Sequence, residues 1–109
     1  EDCNKILFTV GFENCVLDLS SFYKLKMKNT SFKNSSMQEV DFTEADLTGA
    51  LFENCNLLRT VFDNTVLHKA DFRSAFNISI DPEKNRTKKA KFSVGGVAGL
   101  LHKYNIEIE

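Results

Sequence analysis

Residues 45–54 read Ala-Asp-Leu-Thr-Gly-Ala-Leu-Phe-Glu-Asn, two units of five with a small residue first and a large apolar residue third. Working outward in both directions, a large apolar residue recurs at every fifth position from Leu7 to Phe72. A mostly small residue lies two positions before each of them, so both sets are predicted to face inward. The predicted core ladder consists of Phe12, Phe22, Phe32, Phe42, Phe52, Phe62, Phe72, Leu17, Leu47, Leu57, Leu67, Met27 and Met37.

The five-residue period identifies the fold class because it matches neither regular secondary structure. On an α-helix, residues five apart are separated by about 140° and leave no apolar stripe. On a flat strand they alternate between the two faces, since five is odd. A short extended segment followed by a turn, repeated, returns the inward residues to a common axis. The pattern therefore predicts an all-β solenoid in which each coil rests on the one before it.

The units Ala45–Gly49, Ala50–Asn54 and Ala70–Ser74 resemble the pentapeptide repeat, which has Leu or Phe at its centre and a small residue two positions earlier. The resemblance covers residues 5–75 and implies a right-handed quadrilateral β-helix with about 20 residues per coil. About 3.5 coils are expected, stacked at the ~4.8 Å spacing of β-strands. Residues 1–75 are thus predicted to form the β-helix, with an irregular first repeat because Lys5 occupies an inward position.

Residues 76–109 are predicted to form a C-terminal tail, because the five-residue pattern stops after Ala75. The tail is predicted to contain a strand and turn, a basic loop, and a short helix of residues 94–103 with Ser93 as its N-cap. The helix and the short strand after it are similar to the C-terminal end of the quinolone-resistance group of pentapeptide proteins. In that group this element caps the solenoid and forms a symmetric dimer, which implies a homodimer here. The predicted capping and dimerisation residues are Val97, Leu100, Leu101, Tyr104, Ile106 and Ile108.

The basic loop holds five cations within eight residues, namely Lys84, Arg86, Lys88, Lys89 and Lys91. Such a cluster is typical of a contact with nucleic acid or phosphate. A solvated loop, or an arm lying against acidic coils, would carry the same residues. No aromatic side chains for base stacking accompany the charges. A solvated loop or arm is therefore expected, without direct binding of nucleic acid.

The charges on the coils bear most directly on function. The 109 residues include 14 Lys and Arg against 15 Asp and Glu, a formal net charge of -1, so no strong attraction to nucleic acid or an anionic membrane is expected. In the predicted register opposite charges stack, as in the column Glu13, Lys33, Glu53 and Arg73. The quinolone-resistance group mimics DNA with an acidic rod that engages DNA gyrase or topoisomerase IV, which requires one sign of charge along a face. The alternation favours a protein-interaction scaffold, with a topoisomerase-binding DNA mimic as the alternative.

Neither an active site nor a metal or cofactor site is predicted. The chain contains no recognisable nucleophile motif and no Gly-rich phosphate loop. His68 and His102 are expected to face solvent, and a filled coil leaves no cleft between nearby carboxylates. We therefore expect a protein without enzymatic activity.

The remaining expectations concern the cysteines and the cellular compartment. Cys3, Cys15 and Cys55 lack the spacing of a zinc site or a disulfide framework, so reduced thiols are expected. No stretch approaches the ~18 apolar residues of a membrane span. A bacterial, cytoplasmic protein that does not enter membranes is the resulting prediction.

Overall fold

The computed structural model describes the backbone of residues 2–7 and all of residues 11–101, and it confirms the β-helix. The strands are β1 (Asp2–Leu7), β2 (Gly11–Val16), β3 (Ser31–Lys33) and β4 (Leu51–Glu53), which form one sheet in that order. The last three pair in parallel, with Phe12 opposite Phe32 and Phe32 opposite Phe52. The coil therefore repeats every 20 residues, as the resemblance implied.

Isolated parallel bridges with the same separation define a four-sided coil. We number the coils from residues 11–30, 31–50, 51–70 and 71–92, and the sides one to four in chain order. Side one contains β2, β3 and β4 and continues through the pairing of Asp71 with Lys91. The bridging residues of the others are Val16, Ser36, Asn56 and Phe76 on side two, Ser21, Asp41 and Val61 on side three, and Lys26, Asp46, Val66 and Arg86 on side four.

The core consists of columns of like side chains that stack from coil to coil. Phe rings on side one lie parallel at centroid distances of 4.8–5.3 Å from Phe12 to Phe92. The rings of side three stack in the same way and meet those of side one edge to face, as at Phe42 and Phe52. All the Leu and Met ladder residues are buried except Met27, which like Phe12 and Phe22 is only partly buried because it lies in the first described coil.

Small polar residues are tolerated inside the coil because their side chains bond to backbone carbonyls. Thr60 donates its hydroxyl to the carbonyl of Met37 at 2.6 Å, and Thr65 donates to Phe42 at 2.9 Å. The Cys55 thiol donates to Phe32 at 3.2 Å. No buried side-chain nitrogen or oxygen in the described part of the chain lacks a partner, which satisfies the requirement for burying polar groups.

The corners between sides take a left-handed backbone conformation at every fifth position from Asn14 to Lys69. Asn adopts this region more readily than most residues, and it occupies five of these corners, with Gly at position 49. Lys69 and Lys89 adopt it at φ of 61° and 62°. The turn that closes each five-residue unit is therefore a backbone feature that the sequence only partly optimises.

The irregular first repeat is an antiparallel strand. Strand β1 pairs with β2 so that Leu7 lies opposite Gly11 and Cys3 lies opposite Cys15. Leu7 has the spacing of the repeat, but its backbone does not belong to a parallel coil. The strand covers the outer edge of side one, where the first coil has no preceding coil to pair with.

The β-helix does not end at residue 75, which corrects the predicted boundary. Phe76 pairs with Asn56, Arg86 with Val66, and Lys91 with Asp71, so residues 84–91 form part of a fourth coil instead of a basic loop. Only residues 77–83 leave the register. Asn77 and Pro82 occupy the central positions there, and neither an amide side chain nor a residue without an N–H suits the ladder. Ile78 and Ile80 are buried in their place.

The prediction of an α-helix over residues 94–103 is wrong for residues 94–101, the part that the structure describes. This segment contains instead a 3-10 helix of four residues, Val97–Leu100. The predicted N-cap residue Ser93 accepts a hydrogen bond from the Gly96 N–H at 3.0 Å. The carbonyl of Gly99 accepts from Ile80 at 3.0 Å, and a side chain at Gly99 would collide with the Ile78 backbone. Because the backbone of Gly99 lies directly against that of Ile78, this segment forms a single tight turn and not an α-helix.

The predicted capping and dimerisation residues are therefore only partly placed. Leu100 packs against the core, Leu101 is half-buried and Val97 is largely exposed. Tyr104, Ile106 and Ile108, like His102, lie outside the described residues.

Candidate interaction surfaces

Charge is separated by side of the coil, which corrects the expectation that every face alternates. The column Glu13, Lys33 and Glu53 on side one does alternate in register. Sides three and four, however, differ in sign although they share an edge. The register places Asp41, Glu44 and Asp63, with Lys24 and Lys84, on side three, and Lys26, Lys28, Lys69, Arg86, Lys88 and Lys89, with Asp46, on side four. The net charge of -1 therefore conceals an acidic side beside a basic one.

Ion pairs between successive coils neutralise some of the charges on the first three coils. Lys24 pairs with Glu44 at 4.0 Å and Arg59 with Glu39 at 3.5 Å, each pair joining residues one coil apart. Asp46 pairs with Lys28 at 4.0 Å instead of with Lys26, its neighbour in the backbone register. These pairs are exposed and each contributes only about 0–1 kcal/mol.

Two aspartates are held ionised by their surroundings. Burial alone would raise the pKa of Asp46, but hydrogen bonds from Thr48 and the nearby Lys28 and His68 bring that pKa below its ordinary value. The side-chain hydrogen bonds of Arg73 lower the pKa of Asp71. Arg73 thus turns to Asp71 within its own repeat, at 2.9 Å, and not to Glu53 in the column predicted for it.

The cations at the end of side four form a surface that we call the C-terminal basic face, consisting of Lys69, Arg86, Lys88 and Lys89. All four side chains are exposed. The N–H of Lys69 donates to the carbonyl of Lys88 at 3.0 Å, and Arg86 pairs with Val66 one coil earlier. Within residues 11–101, none of the four forms an ion pair.

An apolar groove of about 630 Å³ lies at the C-terminal end of side two. Leu58 and Phe76 form one wall, and Gly95, Gly96 and Ala98 form the other. Phe76 is 46% exposed, a large fraction for a phenylalanine beside a packed core. Most of the groove's lining is apolar.

The family model for the pentapeptide repeat region matches residues 5–76. The chain belongs to the pentapeptide repeat family. No curated protein matches the chain. The matched segment ends at the start of the fourth coil, because the central residues of the next three units are no longer Leu or Phe.

Solved structures of pentapeptide repeat proteins resemble this chain. One from the thylakoid lumen of Arabidopsis thaliana has a TM-score of 0.57 and 20% identity over 71% of this chain and 61% of its own length. A cyanobacterial one from Cyanothece 51142 has a TM-score of 0.34 and 19% identity, covering 77% and 60%. The fluoroquinolone resistance protein QnrB1 has a TM-score of 0.41 and 11% identity, covering 98% and 62%. The chain therefore spans less than two thirds of each of these proteins.

Groups that could carry chemistry in this pentapeptide repeat chain are dispersed. No cluster of three or more His, Cys, Asp or Glu side chains with metal-binding geometry occurs in the described residues. Among those residues, no helix is long and apolar enough to cross a membrane. Cys15 is disulfide-bonded, so the prediction of reduced thiols is wrong for it. Sequence reasoning missed this because it judged the cysteines by their spacing along the chain, whereas the antiparallel β1 places Cys3 opposite Cys15 in the backbone register.

Cys55 is free and buried, and burial raises the pKa of its thiol to about 11. Alkylation by iodoacetamide at pH 8 is expected to be at least about 100-fold slower in the folded chain than in the unfolded one, because only the thiolate reacts. The raised pKa also means that stability is lost as pH rises from about 9 towards 11, since the unfolded thiol ionises first. Peptide mass spectrometry of labelled Cys55 measures the rate, and rapid labelling of the folded protein would contradict the expectation.

Proposed function

We propose that this pentapeptide repeat chain is a non-enzymatic protein-interaction scaffold. The observation that carries the proposal is the apolar groove beside Phe76, on a β-helix whose interior is filled by stacked rings. A filled interior leaves the outer surface to make functional contacts. Apolar grooves with partly exposed aromatic residues are typical of protein-binding surfaces.

We further propose that residues 102–109 of a second copy occupy this groove, giving a homodimer. The described chain ends at Leu101, immediately after Ala98 and Gly99 in the groove wall. In the following residues Ile106 and Ile108 alternate with glutamates, the pattern of a strand with one apolar face. Eight residues extend over about 27 Å, enough to cross between two copies.

Light scattering on size-exclusion fractions tests the dimer, with 12.4 kDa as the monomer mass. Wild type is expected at twice that mass, and the pair Ile106→Lys with Ile108→Lys at the monomer mass. The control pair, Glu107→Lys with Glu109→Lys, adds two lysines on the opposite face of the strand and should remain dimeric. A monomeric wild type at all concentrations would overturn the dimer. If Phe76→Arg folds, as judged by circular dichroism, and is still a dimer, the groove is excluded as the dimer interface.

A second candidate function is the topoisomerase-binding DNA mimic. The acidic side three favours it, because Asp41, Glu44 and Asp63 keep one sign of charge from the second coil into the third. A phosphate backbone likewise presents one sign of charge at regular spacing. Glu44 is already paired with Lys24, which reduces the free negative charge of this side.

Supercoiling by DNA gyrase, with and without a fluoroquinolone, separates the two functions. The mimic is expected to inhibit supercoiling or protect the enzyme, and Asp41→Asn with Asp63→Asn should weaken that effect at least about tenfold through the loss of two charges. The matched pair Glu13→Gln with Glu53→Gln on side one should change it little. Neither inhibition nor protection over a wide concentration range would exclude the mimic and leave the scaffold.

A further inference from the structure

The C-terminal basic face combines features that reduce the stability of the free protein. Lys69 and Lys89 occupy corresponding corners of successive coils, so two like charges stack. Like charges directly opposite each other on neighbouring strands are destabilising. Both lysines also have a left-handed backbone conformation that is unfavourable for a residue other than Gly, Asn or Asp. The same corner in the first two coils holds Asn29 and Gly49, which relieve both costs.

Among the described residues, the cations of this face lack a counter-charge, unlike several other cations on the molecule. Lys24, Lys28, Arg59 and Arg73 each form an ion pair. In the part of the chain that the structure describes, Lys69, Arg86, Lys88 and Lys89 form none. Four exposed cations on two adjacent coils would gain their partners from a negatively charged molecule. We propose that the C-terminal basic face binds an acidic segment of a partner protein.

The border of the face favours a polypeptide over a nucleic acid or a lipid surface. Glu44, Glu83, Lys84 and Arg86 line one shallow hollow on the edge between sides three and four. Asp46, whose pKa is lowered, adds another carboxylate to side four. A polymer or membrane with only negative charges would meet these carboxylates unfavourably. A polypeptide carries side chains of both signs, so it can place acidic residues against the lysines and neutral or basic residues near the carboxylates of the border.

The spacing of the face suits regularly placed carboxylates. Arg86 and Lys88 are two residues apart, at most about 7 Å between their Cα atoms. Lys69 and Lys89 are separated by one coil, about 4.8 Å. Carboxylates two apart on a strand, or four apart on a helix, have similar separations. This inference rests on the scaffold function, and it concerns a surface on a different side from the dimer groove.

Fluorescence anisotropy with three probes tests the proposal: a labelled peptide of alternating Glu and Ser ending in Lys, a labelled duplex DNA of similar length, and vesicles containing phosphatidylserine. The peptide is expected to bind most tightly, at least about tenfold more so than either other probe, with affinity falling as salt screens the charges. Lys88→Gln with Lys89→Gln should weaken peptide binding about tenfold. The matched pair Lys26→Gln with Lys33→Gln, also unpaired cations, should change it less than about twofold.

The carboxylates at the border provide a second, independent readout. Glu44→Gln with Glu83→Gln is expected to strengthen duplex DNA binding several-fold, because the charges that disfavour phosphate are gone. Tighter binding of DNA or vesicles than of peptide by the wild type would overturn the proposal in favour of a general polyanion surface. Equal losses from the two lysine pairs, or no peptide binding at low salt, would overturn it as well. Dimer mass, measured on the same variants, reports separately on the proposed scaffold.

Discussion

Replacing Phe52 with alanine is expected to lower the free energy of unfolding by about 3–5 kcal/mol. Phe52 is fully buried, and its ring stacks on Phe32 at 5.1 Å and on Phe72 at 4.8 Å. It also meets Phe42 and Phe62 edge to face. Removing it leaves a cavity that the rigid register of neighbouring coils cannot close. Urea denaturation followed by circular dichroism measures the change.

Phe92→Ala is the matched control, since Phe92 ends the same column. Its described ring contact is with Phe72 alone, at 5.2 Å, and it is only partly buried. The loss there is expected to be less than half of that at Phe52, because fewer contacts are removed and solvent can fill the space. Equal losses at the two positions would mean that the column is not a continuous stack.

The five-residue period was enough to predict the core, because the core depends on local alternation of inward and outward residues, and the 20-residue register followed from the resemblance to the pentapeptide repeat. Leu47 and Phe52 are fully buried where the repeat is regular. The same reasoning failed at the N-terminus, since Leu7 keeps the spacing while its strand runs antiparallel. Which strand a segment pairs with depends on the direction of the turn before it, and spacing carries no information about direction.

The fourth coil was missed because its central residues are not apolar. Asn77, Pro82 and Thr87 occupy positions that hold Leu or Phe in earlier coils. A signal was nevertheless present, because Ala90-Lys91-Phe92 repeats Ala70-Asp71-Phe72 after 20 residues. Comparison across one coil, instead of one unit, would have found it. The side chains that replace the missing apolar centres come from Ile78, Ile80 and Asn85, and no repeat pattern encodes them.

The distribution of charge shows the same limitation. The column from Glu13 to Arg73 suggested alternation, but it was one column among many. Once the fourth coil is included, Arg86, Lys88 and Lys89 join side four, and the basic face becomes visible. The candidate interaction surfaces therefore depend on the part of the fold that the five-residue pattern could not predict.

Asn85→Ala is expected to lower the free energy of unfolding by about 2–4 kcal/mol, because buried polar groups lose their partners. The side-chain oxygen of Asn85 accepts from the Thr65 N–H at 2.9 Å. Its amide nitrogen donates to the carbonyls of Phe62 at 3.0 Å and Asp81 at 2.9 Å. The residue is buried and takes the place that Thr65 holds one coil earlier. It thus ties residues 77–83 to the third coil.

Two further variants make this prediction specific. Ser74→Ala removes an exposed hydroxyl that accepts a hydrogen bond from the Asn54 N–H at 3.0 Å, and it should cost less than about 1 kcal/mol. Asn85→Asp keeps the acceptor for Thr65 but turns a carboxylate towards two carbonyls, which raises its folded pKa. Its stability should therefore be greatest at low pH, where the protonated acid donates, and fall as pH rises through that pKa. If Asn85→Asp were as stable as the wild-type protein at neutral pH, the fourth coil would not depend on these hydrogen bonds.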